Sequence, residues 1–233
     1  MRISVIGDFA DPMSFLASQR VAQLSSLGCC DWTWLAVEAD PLRTLPGLPL
    51  AADAAAQAAA LALPGESVPQ PGDPVPNSRA ATAAYAESVT DNAAEAMRYA
   101  LFDAAWIARD HVDEPEVIRS VAFAVLNPEA LAGDVDERIR TNRSITYSGD
   151  PDPLRDTRRR GYLVSRVGGP LTNAGQERID GWRRLWRGLG RPQLPVLVTD
   201  AGVIADGSQA LEWLAERLPH GRTQAATVSS QPA

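Results

Sequence analysis

The sequence contains no lysine: all 22 basic residues among its 233 are arginine. That excludes a Schiff-base lysine and the phosphate-binding lysine of a P-loop. Histidine is nearly absent as well, with only His111 and His220, far apart in sequence; each reads as an exposed helix-end residue or, alternatively, as a lone base. The only cysteines, Cys29 and Cys30, are neighbours. A vicinal disulfide would close a strained ring, so they read as two reduced thiols, one of them buried. With so few soft ligands, no structural zinc site is expected. No apolar run approaches the roughly 18–20 residues of a membrane span. The first residues show no basic segment followed by an apolar stretch and a small-residue cleavage site. A cytoplasmic protein without membrane partners is the expectation. The net charge of -7 argues against nucleic acid as a partner, because phosphate backbones are held by excess cation. No G-x-S-x-G elbow, G-x-G-x-x-G turn or H-E-x-x-H helix occurs.

What is present begins with "RISVIG", Arg2–Gly7, a β-branched run that reads as a strand. Apolar residues Phe15, Leu16, Val21, Leu24 and Leu27 then recur at helical spacing until Gly28 closes the helix. "DWTWLAVEA", residues 31–39, reads as a second strand, and together these make a βαβ unit with parallel strands. An alanine-rich helix over 51–63 and a proline-rich loop over 64–76 follow. Helices are expected from 77, capped by Asn77 or Ser78, over 92–110, and over 114–126 with Pro115 in the first turn. "NPEALAGDVDERIRTNRS" adds a fourth. Residues 145–172 are long, polar and irregular, and Asn173 is expected to cap the helix after them. "LPVLVTDAGVIADG" gives a strand, a tight turn and a strand, before a last helix over 208–218 and a disordered tail. The fold class is therefore α/β. A βαβ unit and a C-terminal β-hairpin–helix are separated by a large helical insertion, with 1–50 and 191–220 forming one domain, 51–190 the insertion and 221–233 the tail.

Three stretches together resemble the DsbA-like branch of the thioredoxin fold. That branch includes FrnE-type oxidoreductases, kappa-class glutathione transferases and 2-hydroxychromene-2-carboxylate isomerases. "DFADPMSFLA" is similar to the branch's D-F-x-C-P-x-C-Y-L-G corner, or S-P-x-S in its transferases and isomerases. "PVPNSRAATAAYAES" resembles the segment that opens the helical insertion, and "LPVLVTDAGVIADGSQALEWL" the cis-proline strand, hairpin and last helix. The resemblance implies that the Leu194–Pro195 bond is cis. The departure lies at the corner. Asp11 stands where the nucleophilic cysteine or thiol-activating serine would be, and Ser14 at the resolving cysteine. Thiol–disulfide exchange needs an attacking thiolate. Cys29 and Cys30 lie at the far end of the first helix, on the order of 25 Å away, so a FrnE-type dithiol mechanism is excluded for this chain acting alone.

Two readings of the corner stand side by side. Asp11 at N-cap, Pro12 at N1 and Ser14 at N3 make a good helix start, and Asp11 then only caps. Alternatively, Asp11 and Ser14 are the catalytic pair. Asp11 is then a general acid or base in a cleft between Phe9–Asp11 and Leu194–Pro195, with Ser14 donating to the same ligand. The resemblance implies a ligand site formed by Phe9, Pro12, Asn77, Leu194, Pro195, Asp206 and Ser208. Asn77 and Asp206 are equally explained as helix caps. The arginines of "RDTRRRG" either pair with an acidic ligand or form a solvated run. The implied activities are those of an isomerase or transferase acting on a small molecule, with or without a thiol cofactor such as glutathione or mycothiol, and family members are often homodimers. The alternative is a non-catalytic thioredoxin-fold binding protein that has lost the redox chemistry.

Overall fold

The computed structural model describes residues 2–28, 30–39, 52–68, 77–127 and 154–219. The chain divides into two compact units, Met1–Pro76 with Asp180–Ala233, and Asn77–Ile179.

In the first unit, β1 (Arg2–Gly7) leads through Asp11 into α1 (Pro12–Ser26), and β2 (Asp31–Ala36) returns parallel to β1. After α2 (Ala52–Leu61), the chain comes back to this unit with β3 (Val196–Thr199), β4 (Gly202–Asp206) and α8 (Gly207–Ala215). The strand order is β2-β1-β3-β4, with β1–β3 and β3–β4 antiparallel. β1 is central and reads as a nearly continuous apolar run because both of its faces are covered. Ile6, Val196 and Val198 face Trp186, with Trp182 and Leu189 packed alongside. α1 packs against both α2 and α8.

α1 is buried around most of its circumference, including the full guanidinium of Arg20. Arg20 Nε meets Glu66 Oε1 at 2.7 Å and a second nitrogen meets Oε2 at 2.9 Å, a bidentate pair with both side chains 1% exposed. The remaining donors reach the carbonyls of Leu61 and Leu211. One side chain thus ties α1 to α8, to the end of α2 and to the loop after it.

The second unit holds α3 (Arg79–Ser88), α4 (Ala94–Asp103), α5 (Pro115–Leu126), the short α6 (Arg155–Arg159) and the start of α7 (Asn173–Gly188). α3 is buried throughout from Ala80 to Ser88. The single helix expected over 92–110 is instead α4 followed by a π-helical turn, Ala104–Ala108, which Arg109 ends at φ 60. The wider turn keeps Trp106 buried and leaves Ile107 exposed. The cap of α7 is Thr172, whose Oγ1 accepts from Gly175 N–H at 2.9 Å, in place of the expected Asn173. Thr172 Oγ1 in turn donates to the fully buried Glu87 carboxylate.

The unit boundaries at 76/77 and 179/180 differ from the sequence-based 50/51 and 190/191. α2 packs on α1, and Trp182 and Trp186 belong to the sheet core, which draws both flanks into the first unit. The fourth expected helix, the first part of the irregular segment, Cys29, His220 and the tail lie outside the described residues. Among the described residues, no helix is long and apolar enough to cross a membrane.

Candidate functional site

β1 ends at Gly7, and the chain must turn into α1 within four residues. Gly7 is needed there: a Cβ would lie 2.4 Å from the Trp34 ring and 3.0 Å from Ser14 Oγ. Asp8, buried at the turn, spends its side chain on the backbone. Its Oδ1 accepts from Ala10 N–H at 2.9 Å and its Oδ2 from Ala39 N–H at 2.8 Å, stitching the corner to the end of β2. Asp11 is the N-cap of α1 and Pro12 the first helical residue. Asp11 Oδ2 accepts from Ser14 N–H at 2.7 Å and from Ser14 Oγ–H at 2.6 Å. Ser14 Oγ also accepts from Asp8 N–H at 3.2 Å.

Ser14 is fully buried and its proton already goes to Asp11, so it positions the carboxyl and is not a free donor to a ligand. Asp11 is partly exposed. Burial raises its pKa from 3.8 to about 6, against the lowering by the two Ser14 hydrogen bonds and with help from the Asp8 charge. A carboxyl that titrates near neutrality can both take and give a proton, which an ordinary surface aspartate at pH 7 does poorly.

The Leu194–Pro195 bond is cis, as the resemblance implies. Ile6 pairs with Val196, so continuing the antiparallel register places Pro195 opposite Gly7, at the sheet end where the Asp11 corner lies. Gly207 N–H donates to Pro195 O at 2.9 Å and to Gln193 O at 3.0 Å, which fixes the start of α8 against this loop. Asp206 holds the N-cap position of α8, but its side chain makes no cap bond and instead takes Gln193 N–H at 3.2 Å. Ser208 is partly buried. Asp11, Ser14, Pro195, Asp206 and Ser208 therefore belong to one unit. Phe9 is fully buried and Leu194 nearly so, and both serve packing. Asn77 belongs to the other unit, where its Oδ1 accepts from Arg79 N–H at 2.8 Å.

Of the arginines in 155–160, Arg158 is buried and pairs with Asp91 at 2.8 Å, whereas Arg159 and Arg160 are exposed. Cys30 sits just before β2, at the Arg2 end of the β1–β2 pair. Six residues of strand separate it from the Gly7 end, on the order of 20 Å. Asp8, Gly7 and Trp34 are structural parts of the site that sequence reasoning did not assign. The parity of β2 could have found Trp34, since it pairs with Val5 and shares the face of Gly7.

A parallel βαβ unit, an antiparallel hairpin with its helix, helices inserted in sequence between them and a cis-proline directly before β3 together define the DsbA-like thioredoxin fold. Comparison with solved structures gives the same fold. The cytosolic disulfide reductase DsbM from Pseudomonas aeruginosa, solved with GSH, aligns over 97% of this chain and 100% of its own at 16% identity and TM-score 0.52. A 2-hydroxychromene-2-carboxylate isomerase aligns over 99% and 100% at 17% identity and TM-score 0.53. A probable DsbA oxidoreductase from Streptomyces coelicolor aligns over 100% and 92% at 17% identity and TM-score 0.55. No protein-family model and no curated protein sequence matches the chain.

Proposed function

We propose that this protein binds a small organic molecule or a low-molecular-weight thiol at the Asp11 corner, and acts on it as an isomerase- or transferase-like enzyme without dithiol chemistry. The observation that carries this reading is the Asp11 carboxyl at the start of α1, oriented by Ser14 through two hydrogen bonds. In this fold the corner presents a reactive group to a ligand beside the cis-proline. Here the group is a carboxyl with a pKa near 6, suited to moving a proton to and from a bound substrate with no net oxidation. Asp206 and Ser208, at the start of α8, are the proposed contacts for a polar end of the ligand. The structures of DsbM with GSH and of the isomerase support glutathione or a related thiol as a ligand class to test.

One observation favours the second reading, a binding protein without catalysis. The Ser14 N–H bond to Asp11 Oδ2 is also what a helix cap makes. Thermal-shift titration with glutathione and mycothiol separates the cases when run on wild type and Asp11→Asn. Stabilisation of both forms by the same ligand, with turnover only in the wild type, is expected of the enzyme. Stabilisation of both with turnover in neither identifies the binding protein. A shift in neither form contradicts thiol recognition at this corner.

A further inference from the structure

α3 begins in an unusual way. Ser78 occupies its N-cap position but has φ -85 and ψ 4 and makes no side-chain cap bond. An N-cap serine normally sits in extended backbone and accepts from the N–H two or three residues on. Thr82 lies four residues later, on the same face of the helix. Each is only 2% exposed, and neither Ser78 Oγ nor Thr82 Oγ1 has a hydrogen-bond partner. A buried hydroxyl without a partner is a standing cost to the fold. The other residues of this part of the helix, Ala80, Ala81, Ala83 and Ala84, are uniformly small and apolar.

The backbone adds two more donors. Arg79 N–H is taken by Asn77 Oδ1 and Thr82 N–H by Ser78 O. Ala80 and Ala81 lie between them, buried, and their N–H groups are ones that a helix start cannot satisfy internally. Two hydroxyls and two amides are thus grouped at the positive end of a ten-residue helix that carries no acidic residue in its first turn. Arg79 adds positive charge at the same turn. The turn over 165–169 covers the place. Gly168, at φ +75, comes so close that a Cβ on it would lie 3.3 Å from Ala80 Cβ.

We propose that the first turn of α3 is a carboxylate-binding site, formed by the hydroxyls of Ser78 and Thr82 and the N–H groups of Ala80 and Ala81. A carboxylate offers two acceptor oxygens and one negative charge, which matches four neutral donors at a helix N-terminus better than a doubly charged phosphate does. The site lies wholly within the second unit, and nothing in it requires that Asp11 perform chemistry.

The test is a titration of the 15N-labelled full chain, followed by NMR at the Ala80 and Ala81 amides. The probes are benzoate, its uncharged amide benzamide, reduced glutathione and inorganic phosphate. Benzoate is expected to move both amides saturably, and benzamide is not. Movement by glutathione as well assigns the site to a carboxylate of a thiol peptide; movement by benzoate alone assigns it to a small organic acid. Ser78→Ala and Thr82→Val should each weaken benzoate binding about tenfold. Without ligand, Thr82→Val should keep or raise Tm, because it removes a buried unpartnered group in a near-isosteric exchange. Silence of both amides toward every carboxylate overturns the proposal, as do phosphate binding tighter than benzoate and unchanged affinity in both variants. A Tm loss of more than ~2 °C in Thr82→Val also overturns it, since that is roughly the effect of one lost hydrogen bond in a chain of this size.

Discussion

Asp11 Oδ2 receives both of its hydrogen bonds from one residue, Ser14, while burial works against its charge. The folded pKa of about 6 lies above the ordinary 3.8, so the folded chain holds more protons than the unfolded chain between these values. The contribution of this group to stability is therefore complete below about pH 4 and falls as pH rises through 6. The loss reaches at most ~3 kcal/mol by pH 7. Asn caps a helix as well as Asp. Asp11→Asn should match the wild type near pH 4 and exceed it in Tm at pH 7, a difference read from thermal melts across that range. Parallel curves would show that Asp11 titrates as an ordinary aspartate. The cap itself was legible from the order Asp-Pro-x-Ser, because capping is local chemistry. The raised pKa was not, because it comes chiefly from burial of the carboxyl, with the Asp8 charge adding to it, and burial is set by tertiary packing.

At the scale of the element, α1 shows where sequence patterning runs out. Its start and end were legible through Pro12 and Gly28, but its burial was not. A helix covered on nearly all sides has no polar face, and Arg20 looks like a solvent-side residue. Its partner Glu66 lies 46 residues on, in a proline-rich loop with no periodicity to mark it as structural. Arg20→Leu leaves Glu66 buried without its cation and strands the Leu61 and Leu211 carbonyls. It should cost about 3–5 kcal/mol, measured by urea denaturation. Replacing Arg20 and Glu66 together by leucine should cost less than the single change, because no charge is then left uncompensated. An equal or larger loss in the double variant would assign the stability to the carbonyl contacts instead. The π-helical turn after α4 was equally hidden: helical propensity is continuous over 92–110, and no local pattern marks Ala104 as the place where the turn widens.

For the molecule as a whole, the order βαβ, helices, β-hairpin, helix was legible because each part carries its own period and its own breaking residues. The cis bond came from the resemblance, since it follows from no local pattern, and the strand order β2-β1-β3-β4 was not legible in the sequence. Among the described residues the one cysteine, Cys30, is at the far end of β2 from the corner, and the corner sequence Asp8–Ser14 contains no cysteine. No reduction of insulin disulfides should be seen in a turbidity assay, in the wild type or in a Cys29→Ser/Cys30→Ser double variant. Activity in the wild type that the double variant lacks would mean that these cysteines form a second redox site.

The central claim is that the corner retains an anion-favouring helix start which the chain fills with its own carboxyl. Calorimetric titration of glutathione into wild type and Asp11→Ser, at pH 5 and pH 7.5, tests it most directly. Ser keeps the cap, and removing the carboxylate frees the helix N-terminus for an external anion, worth roughly a two- to fivefold gain in affinity. The account predicts tighter binding by Asp11→Ser at pH 7.5, with the difference shrinking at pH 5, where the wild-type carboxyl is protonated. Tighter binding by the wild type at pH 7.5, or no binding by either form, would contradict it.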